Sequence, residues 1–297
     1  MPARISFQDQ ISRNKLKSFF LILIVFVVLL GLGYVIGFAM GPDYFVIIMI
    51  FTIIISLSYI LISYYNSDKI ALASVSAKPA DRRQYPQFYN SVEGLTLASG
   101  MSMPKLYIME NSQINAFASG RNPEHSVICV TTGALDKLNK NELEGVLGHE
   151  LSHIANFDIR FMTFVAVMVG MIAIISQIFL RSLWFRGGSR DDSKGNAIFM
   201  LIGIILAILA PVVVQLVQFA ISRKREYVAD ASAVMFIRSP TGLINALKKI
   251  KSEHIDENPR ISKAIAPLFI SNPFKNIQNL TSTHPPLEER IKILERM

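Results

Sequence analysis

Four apolar blocks constrain this chain more than anything else in it. Phe19 to Met40, Tyr44 to Tyr64, Phe161 to Leu180 and Ala197 to Ile221 are almost wholly apolar. A helix needs about 20 consecutive apolar residues to cross the hydrocarbon of a bilayer, and each block reaches that length. Backbone N–H and C=O groups find no water there, so such blocks are read as helices. The chain's hydrophobic content of 51% comes largely from them. The first block is too long for the core of a signal peptide, and no convincing cleavage site follows it.

Charge then orients the blocks. The tail carries Arg4, Arg13, Lys15 and Lys17, and Lys69, Lys78, Arg82 and Arg83 follow the second block. Gly41-Pro42-Asp43 between the first two blocks is a short turn with almost no charge. Basic residues stay on the cytoplasmic side of a membrane, so the first two blocks read as a hairpin with both ends in the cytoplasm. Gly33 and Gly37 form a G-x-x-x-G pair, a pattern read either as close packing of membrane helices or as part of a plain lipid-facing helix. The loop between the third and fourth blocks runs against the charge rule. Arg181, Arg186, Arg190 and Lys194 fall where the count of crossings puts the outside, so a second hairpin that does not fully cross stays open as an alternative.

The formal charge of +8 does not point to nucleic acid. The basic residues gather at the ends of apolar blocks, where anionic lipid accounts for them. No stripe of Lys and Arg interleaved with aromatics occurs. The single Cys129 excludes an internal disulfide and a cysteine metal site. Its setting, Val127-Ile128-Cys129-Val130, reads as that of a buried thiol.

Residues 66–160 read as a soluble α+β unit. Gln84 to Ala98 has helical spacing through Phe88, Val92 and Leu95. Lys105 to Met109, Ile114 to Ala118 and Val127 to Thr131 read as three short strands. Turns are expected at Asn111-Ser112-Gln113 and Gly120-Arg121-Asn122-Pro123. A helix then begins at Asn141, with Glu144 as its capping-box partner. Leu143, Val146, Leu147, Leu151 and Ile154 form its apolar face, and Gly148 gives room for a neighbouring backbone.

That helix carries His149-Glu150-Leu151-Ser152-His153, an H-E-x-x-H pattern. Imidazoles four residues apart stack on one helix face and together can hold one Zn²⁺. Glu150 stands beside them, where a carboxylate can take the proton of a water.

A catalytic zinc needs a third protein ligand. His125, His254 and His284 are candidates, and Glu226 competes with them. Asp230 lies one helical turn beyond Glu226, and metal-bound imidazoles use a carboxylate on their other nitrogen. The alternative is a surface helix with Arg225, Glu226 and Asp230 in solvated pairs. Topology favours the ligand. His153 is about 12 Å along a helix from Phe161, and Glu226 is about 7–8 Å beyond Ile221. Two consecutive blocks separate them, so both stand near the same membrane face. Around this site, Ser222 to Phe236 reads as a helix, Ser239-Pro240 starts another, and Leu287, Ile291 and Leu294 mark a last amphipathic one.

His149-Glu150-Leu151-Ser152-His153, Ser222 to Asp230, Asn115-Ala116-Phe117-Ala118 and Ser282-Thr283-His284-Pro285 together resemble the HtpX family of bacterial membrane zinc metalloproteases. The likeness covers nearly the whole chain. It implies an α-rich α+β integral membrane metalloprotease, with four hydrophobic helices and a zincin-like catalytic domain containing a small antiparallel sheet. Residues 1–65 would be the tail and first hairpin, 66–160 the first part of the catalytic domain, 161–221 the second hairpin, and 222–297 the rest of that domain. The resemblance implies His149, His153 and Glu226 on zinc, Glu150 as catalytic base and Asp230 behind a ligand. Asn115 to Ala118 resembles the edge strand that would hold substrate, and His284 or Arg290 would steady the oxyanion. It further implies a multi-pass protein of the bacterial cytoplasmic membrane, facing the cytoplasm and cleaving protein substrates in membrane-protein quality control under stress. The related CaaX prenyl proteases share the metal motif and usually carry more spans.

Overall fold

The structure, a computed structural model, describes residues 41–162, 223–253, 268–270 and 285–297, with scattered positions between 12 and 38 and residue 203. The third and fourth apolar blocks lie outside the described residues except for Phe161, Met162 and residue 203, as do the linker 181–195, His254 and His284. Among the described residues, one helix is long and apolar enough to cross a membrane: α1 (Pro42–Tyr65). Its proline sits in the first turn, where a missing N–H breaks no helical bond. Its pattern is inside-out. Phe51, Ile55 and Ile62 point outward, while Ser56 and Ser63 are buried. Gly33 and Gly37 of the first block face α1, since a Cβ on Gly33 would collide with Thr52 and one on Gly37 would touch Phe45 and Ile48.

A short helix, α2 (Ser67–Ser74), leads from α1 to a four-stranded sheet. The strands are β1 (Lys78–Pro79), β2 (Lys105–Met109), β3 (Ala116–Asn122) and β4 (His125–Thr131), in the order β1-β2-β4-β3. Two expectations change here. The sheet is mixed, not antiparallel, because the β3–β4 hairpin folds back so that β4 lies parallel to β2, with Leu106 opposite Ile128. The third strand runs later than Ile114 to Ala118. The Asn115 backbone N–H and carbonyl are both held by Thr131 before strand pairing starts. Most of the expected turn at Gly120 to Pro123 then pairs instead, with a bulge between Gly120 and Asn122. Gly120 has φ 139, and a Cβ there would run into the His125 carbonyl.

Period-two alternation splits the sheet's side chains between two cores. Phe117, Val127 and Cys129 meet Ala71, Leu72, Met162, Leu268 and Phe269 on one face. Cys129 is fully buried there, and burial pushes its thiol well above the ordinary range. On the other face, Ala116, Ala118, Ile128 and Val130 pack against α3 (Pro86–Ser99), α5 (Lys140–Ala155) and α7 (Thr241–Ser252). Between β4 and α5 lies α4 (Thr132–Lys137), capped by the Thr131 side chain on the Ala134 N–H.

α5 buries the expected face, with Leu143, Val146, Leu147, Leu151 and Ile154 each at most 1% exposed. Its start differs. The capping box joins Asn139 and Glu142, two residues before the expected pair. Both pairs have N-x-x-E spacing, but Glu142 is buried and also receives Lys249 at 2.7 Å. The close backbone approach expected at Gly148 occurs one turn earlier, at Gly145. A Cβ there would lie 2.5 Å from the Leu243 backbone nitrogen, at the start of α7. Gly148 faces Ile237 and Ala233 of α6 (Arg223–Ile237). The Ser239 hydroxyl accepts from the Thr241 N–H, and α7 starts at Thr241. The last helix, α8 (Leu287–Leu294), buries Arg290, Ile291 and Leu294.

Candidate metal centre

Three helices bring the site together. α5 presents His149, Glu150 and His153, which are 1%, 1% and 5% exposed. α6 crosses it with Glu226 and Asp230 one turn apart, both buried. Ala229 and Ala233 share that buried face, and Ala233 comes close to Gly148 of α5. The reading of Glu226 and Asp230 as a solvated surface pair is therefore excluded by burial.

His149 and His153 point their Nε2 atoms at each other, 3.2 Å apart. Glu226 completes the group, with oxygens 3.5 Å from the His149 Nε2 and 3.6 Å from the His153 Nε2. Ligands held 2.0–2.1 Å from a tetrahedral zinc are about 3.3–3.4 Å from one another. The two nitrogens stand near that spacing from each other and each from one Glu226 oxygen, and one donor atom from each residue lies within 4.8 Å of the others. Two neutral nitrogens and one carboxylate oxygen are also the donor chemistry such a cation takes. The residues therefore fit a zinc ion, and the three are the metal-ligand group found among the described residues.

Each imidazole is held from behind. The His149 Nδ1 lies 2.9 Å from an Asp230 oxygen, and the His153 Nδ1 lies 3.1 Å from Asp158. A proton on each Nδ1 satisfies these contacts and leaves both Nε2 atoms free as donors to a metal. Arg290, fully buried, grips Asp230 with two parallel bonds, Nε at 2.9 Å and Nη2 at 2.7 Å. Its Nη2 is 3.3 Å from the His149 Nδ1, the spacing of two donors that share the acceptor Asp230 Oδ1.

The electrostatics follow from this packing. Burial pushes the Asp230 carboxyl up, but Arg290 and His149 outweigh it and hold it down at about 2. Burial and Arg290 push the His149 imidazole down, and its bonds to Asp230 and Glu226 outweigh them, raising it to about 9. Glu150 is raised chiefly by burial. The two imidazoles oppose that shift, Glu226 adds to it, and a bond from the Ala118 N–H opposes it. A carboxylate whose pKa is raised is a stronger proton acceptor. The Glu150 Oε2 is buried with no hydrogen-bond partner among the described residues.

The profile of peptidase family M48 matches residues 82–297. The chain belongs to that family. Among its relatives are three proteins named "Protease HtpX homolog". That of Caldanaerobacter subterraneus subsp. tengcongensis is 48% identical over 240 residues, covering 80% of each chain. That of Dictyoglomus turgidum is 42% identical, covering 98% of this chain and 95% of its own. That of Lactobacillus helveticus is 43% identical, covering 97% and 99%. Among solved structures, the crystal structure of S. mikatae Ste24p aligns at a TM-score of 0.47 and 20% identity, over 95% of this chain and 65% of that one.

Other residues of this M48 metallopeptidase stand as follows. Asn115 turns its side chain onto the Ala116 N–H, at the start of β3. β3 is one of the two outer strands of the sheet, and its outer edge carries a piece of the same chain. Phe117 bridges Phe269, and the Ile270 N–H donates to the Ala116 carbonyl at 3.0 Å. Arg290 stands behind His149 with two bonds to Asp230, and its Nη1 also comes within 3.8 Å of a Glu226 oxygen. Asp158 and Arg225 complete the surroundings of His153 and were missed from sequence. A carboxylate within two turns of a candidate ligand, just past the end of its helix, was the signal available.

Proposed function

We propose that this M48 metallopeptidase is a zinc endopeptidase of a bacterial cytoplasmic membrane. Its catalytic domain faces the cytoplasm, and it cleaves misfolded or damaged membrane proteins in quality control and stress response. The observation that carries the reading is the buried group of His149, His153 and Glu226, with one donor atom from each within 4.8 Å of the others, beside a buried carboxylate. These three hold the zinc, one per chain. Bound there, zinc supplies Lewis acidity, which polarises a carbonyl and lowers the pKa of water.

Glu150 takes the proton of the attacking water and delivers it to the leaving amine. Asp230 fixes the tautomer and angle of His149, and Arg290 fixes Asp230. Burial keeps bulk water from competing for these bonds. Substrate adds as a strand along β3. Because Leu268 to Ile270 already bond to Ala116 and Phe117, a substrate strand reaching those residues displaces them. His284 is the candidate for steadying the oxyanion. α1 anchors the domain in the bilayer, and its outward Phe51, Ile55 and Ile62 meet lipid.

Glu150→Gln tests the chemistry. The variant should retain zinc and cleave neither casein nor an unfolded membrane protein, because the ligands remain and the proton acceptor is gone. Near-normal turnover would sink the mechanism. Cleavage of a prenylated peptide with no cleavage of unfolded membrane proteins would assign a different substrate class.

A further inference from the structure

His153 sits at the end of α5, and its Nδ1 meets Asp158, only five residues on. On an uninterrupted helix a residue five places on lies about 140° around the axis, too far to touch. The chain solves this with a break. α5 ends at Ala155, and the next residue, Asn156, donates its N–H to the Ser152 carbonyl at 2.9 Å. Phe157 then takes φ 59, a left-handed conformation that side chains of its size rarely adopt. Helical structure resumes at Asp158 with its carboxylate turned back under His153. The second oxygen of Asp158 faces the Arg225 Nε at 3.7 Å, and the Arg225 guanidinium lies 4.7 Å over the ring of Phe161. Asp158 is 1% and Arg225 9% exposed.

We propose that Asp158 and Arg225 are positioning residues for His153, and that they tie this ligand to both ends of the stretch 161–221, which holds the third and fourth apolar blocks. Asp158 and Phe161 stand where the chain enters that segment, and Arg225 stands just after its end. Asp158 holds the imidazole so that Nε2 faces the metal, and Arg225 holds Asp158 while resting on Phe161. A shift at the mouth of the segment is thereby passed to one of the three metal donors. The inference rests on the reading of His153 as a zinc ligand.

The test uses the full chain in detergent with Co²⁺ in place of zinc. Wild type should show the visible absorption of a four-coordinate cobalt site, and His153→Ala should lose it. Asp158→Asn should shift that absorption and weaken metal retention against a chelator by about 10–100-fold, lowering kcat with KM unchanged. Asp158→Glu, which keeps the carboxylate, should recover part of the loss. Arg225→Met should move the absorption in the same direction by less, and Arg225→Lys should lie nearer wild type. A merely structural role would lower folded yield without moving the absorption of the folded fraction. Unaltered absorption and retention in folded Asp158→Asn overturns the proposal. If that variant is not recovered folded, unaltered values in Arg225→Met overturn it. No cobalt absorption in wild type that His153→Ala removes would instead refute the zinc site itself.

Discussion

The two histidines of the metal centre are supported in different ways. Behind His149 stand Asp230 from α6 and Arg290 from α8, three helices locked by two bonds of 2.7 and 2.9 Å around a fully buried guanidinium. Behind His153 stand Asp158 and Arg225, with the arginine 3.7 Å away and stacked on Phe161 at the edge of a hydrophobic segment. The first support is a short, bidentate ion pair within the core. The second is a looser contact at the start of the third apolar block. Tight packing favours fixed geometry at His149, while the longer contact leaves His153 the donor more open to adjustment.

Stability should expose this contrast first. Arg290→Met leaves the Asp230 carboxylate buried without its cation, a loss that costs about 3–5 kcal/mol. Unfolding in detergent by denaturant should show it. Arg225→Met should cost about 1–2 kcal/mol, the range of a partly desolvated cation–π contact with a long ion pair. Equal losses in the two variants would erase the distinction.

The metal separates the two sides more finely. Asp230→Asn should lower zinc affinity about 10–100-fold, as removal of a carboxylate behind a ligating histidine does. Chelator competition on the purified protein measures it. An effect below about 3-fold would mean that packing alone orients His149, and Asp230 would lose the role given by its 2.9 Å contact.

The same two regions show what the sequence made legible. H-E-x-x-H on a helix, and Glu226 with Asp230 one turn apart, were readable because both obey the helical period. The apolar face of α5 was readable for the same reason. Asp158 was not, since no period predicts a left-handed Phe157, and without that break the carboxylate points elsewhere. The place of Arg290 was hidden because it depends on how α8 docks, a contact sixty residues from Asp230 in sequence. Strand direction failed similarly. Three runs of β-type residues do not say which one inserts between the others. The cap of α5 was displaced because two N-x-x-E patterns overlap, and the choice fell to Lys249, which meets Glu142 from another helix.

The central claim is that Glu226 completes the set of metal donors, and one measurement addresses it directly. Wild type and Glu226→Gln are purified in detergent, dialysed against a weak chelator and assayed for zinc per chain. A neutral amide is a poor donor in place of the carboxylate, whose two oxygens lie 3.5 Å from the His149 nitrogen and 3.6 Å from the His153 nitrogen. Wild type should retain about one zinc and the variant far less, as expected when one of three protein ligands is lost. Full zinc occupancy in Glu226→Gln would contradict the assignment.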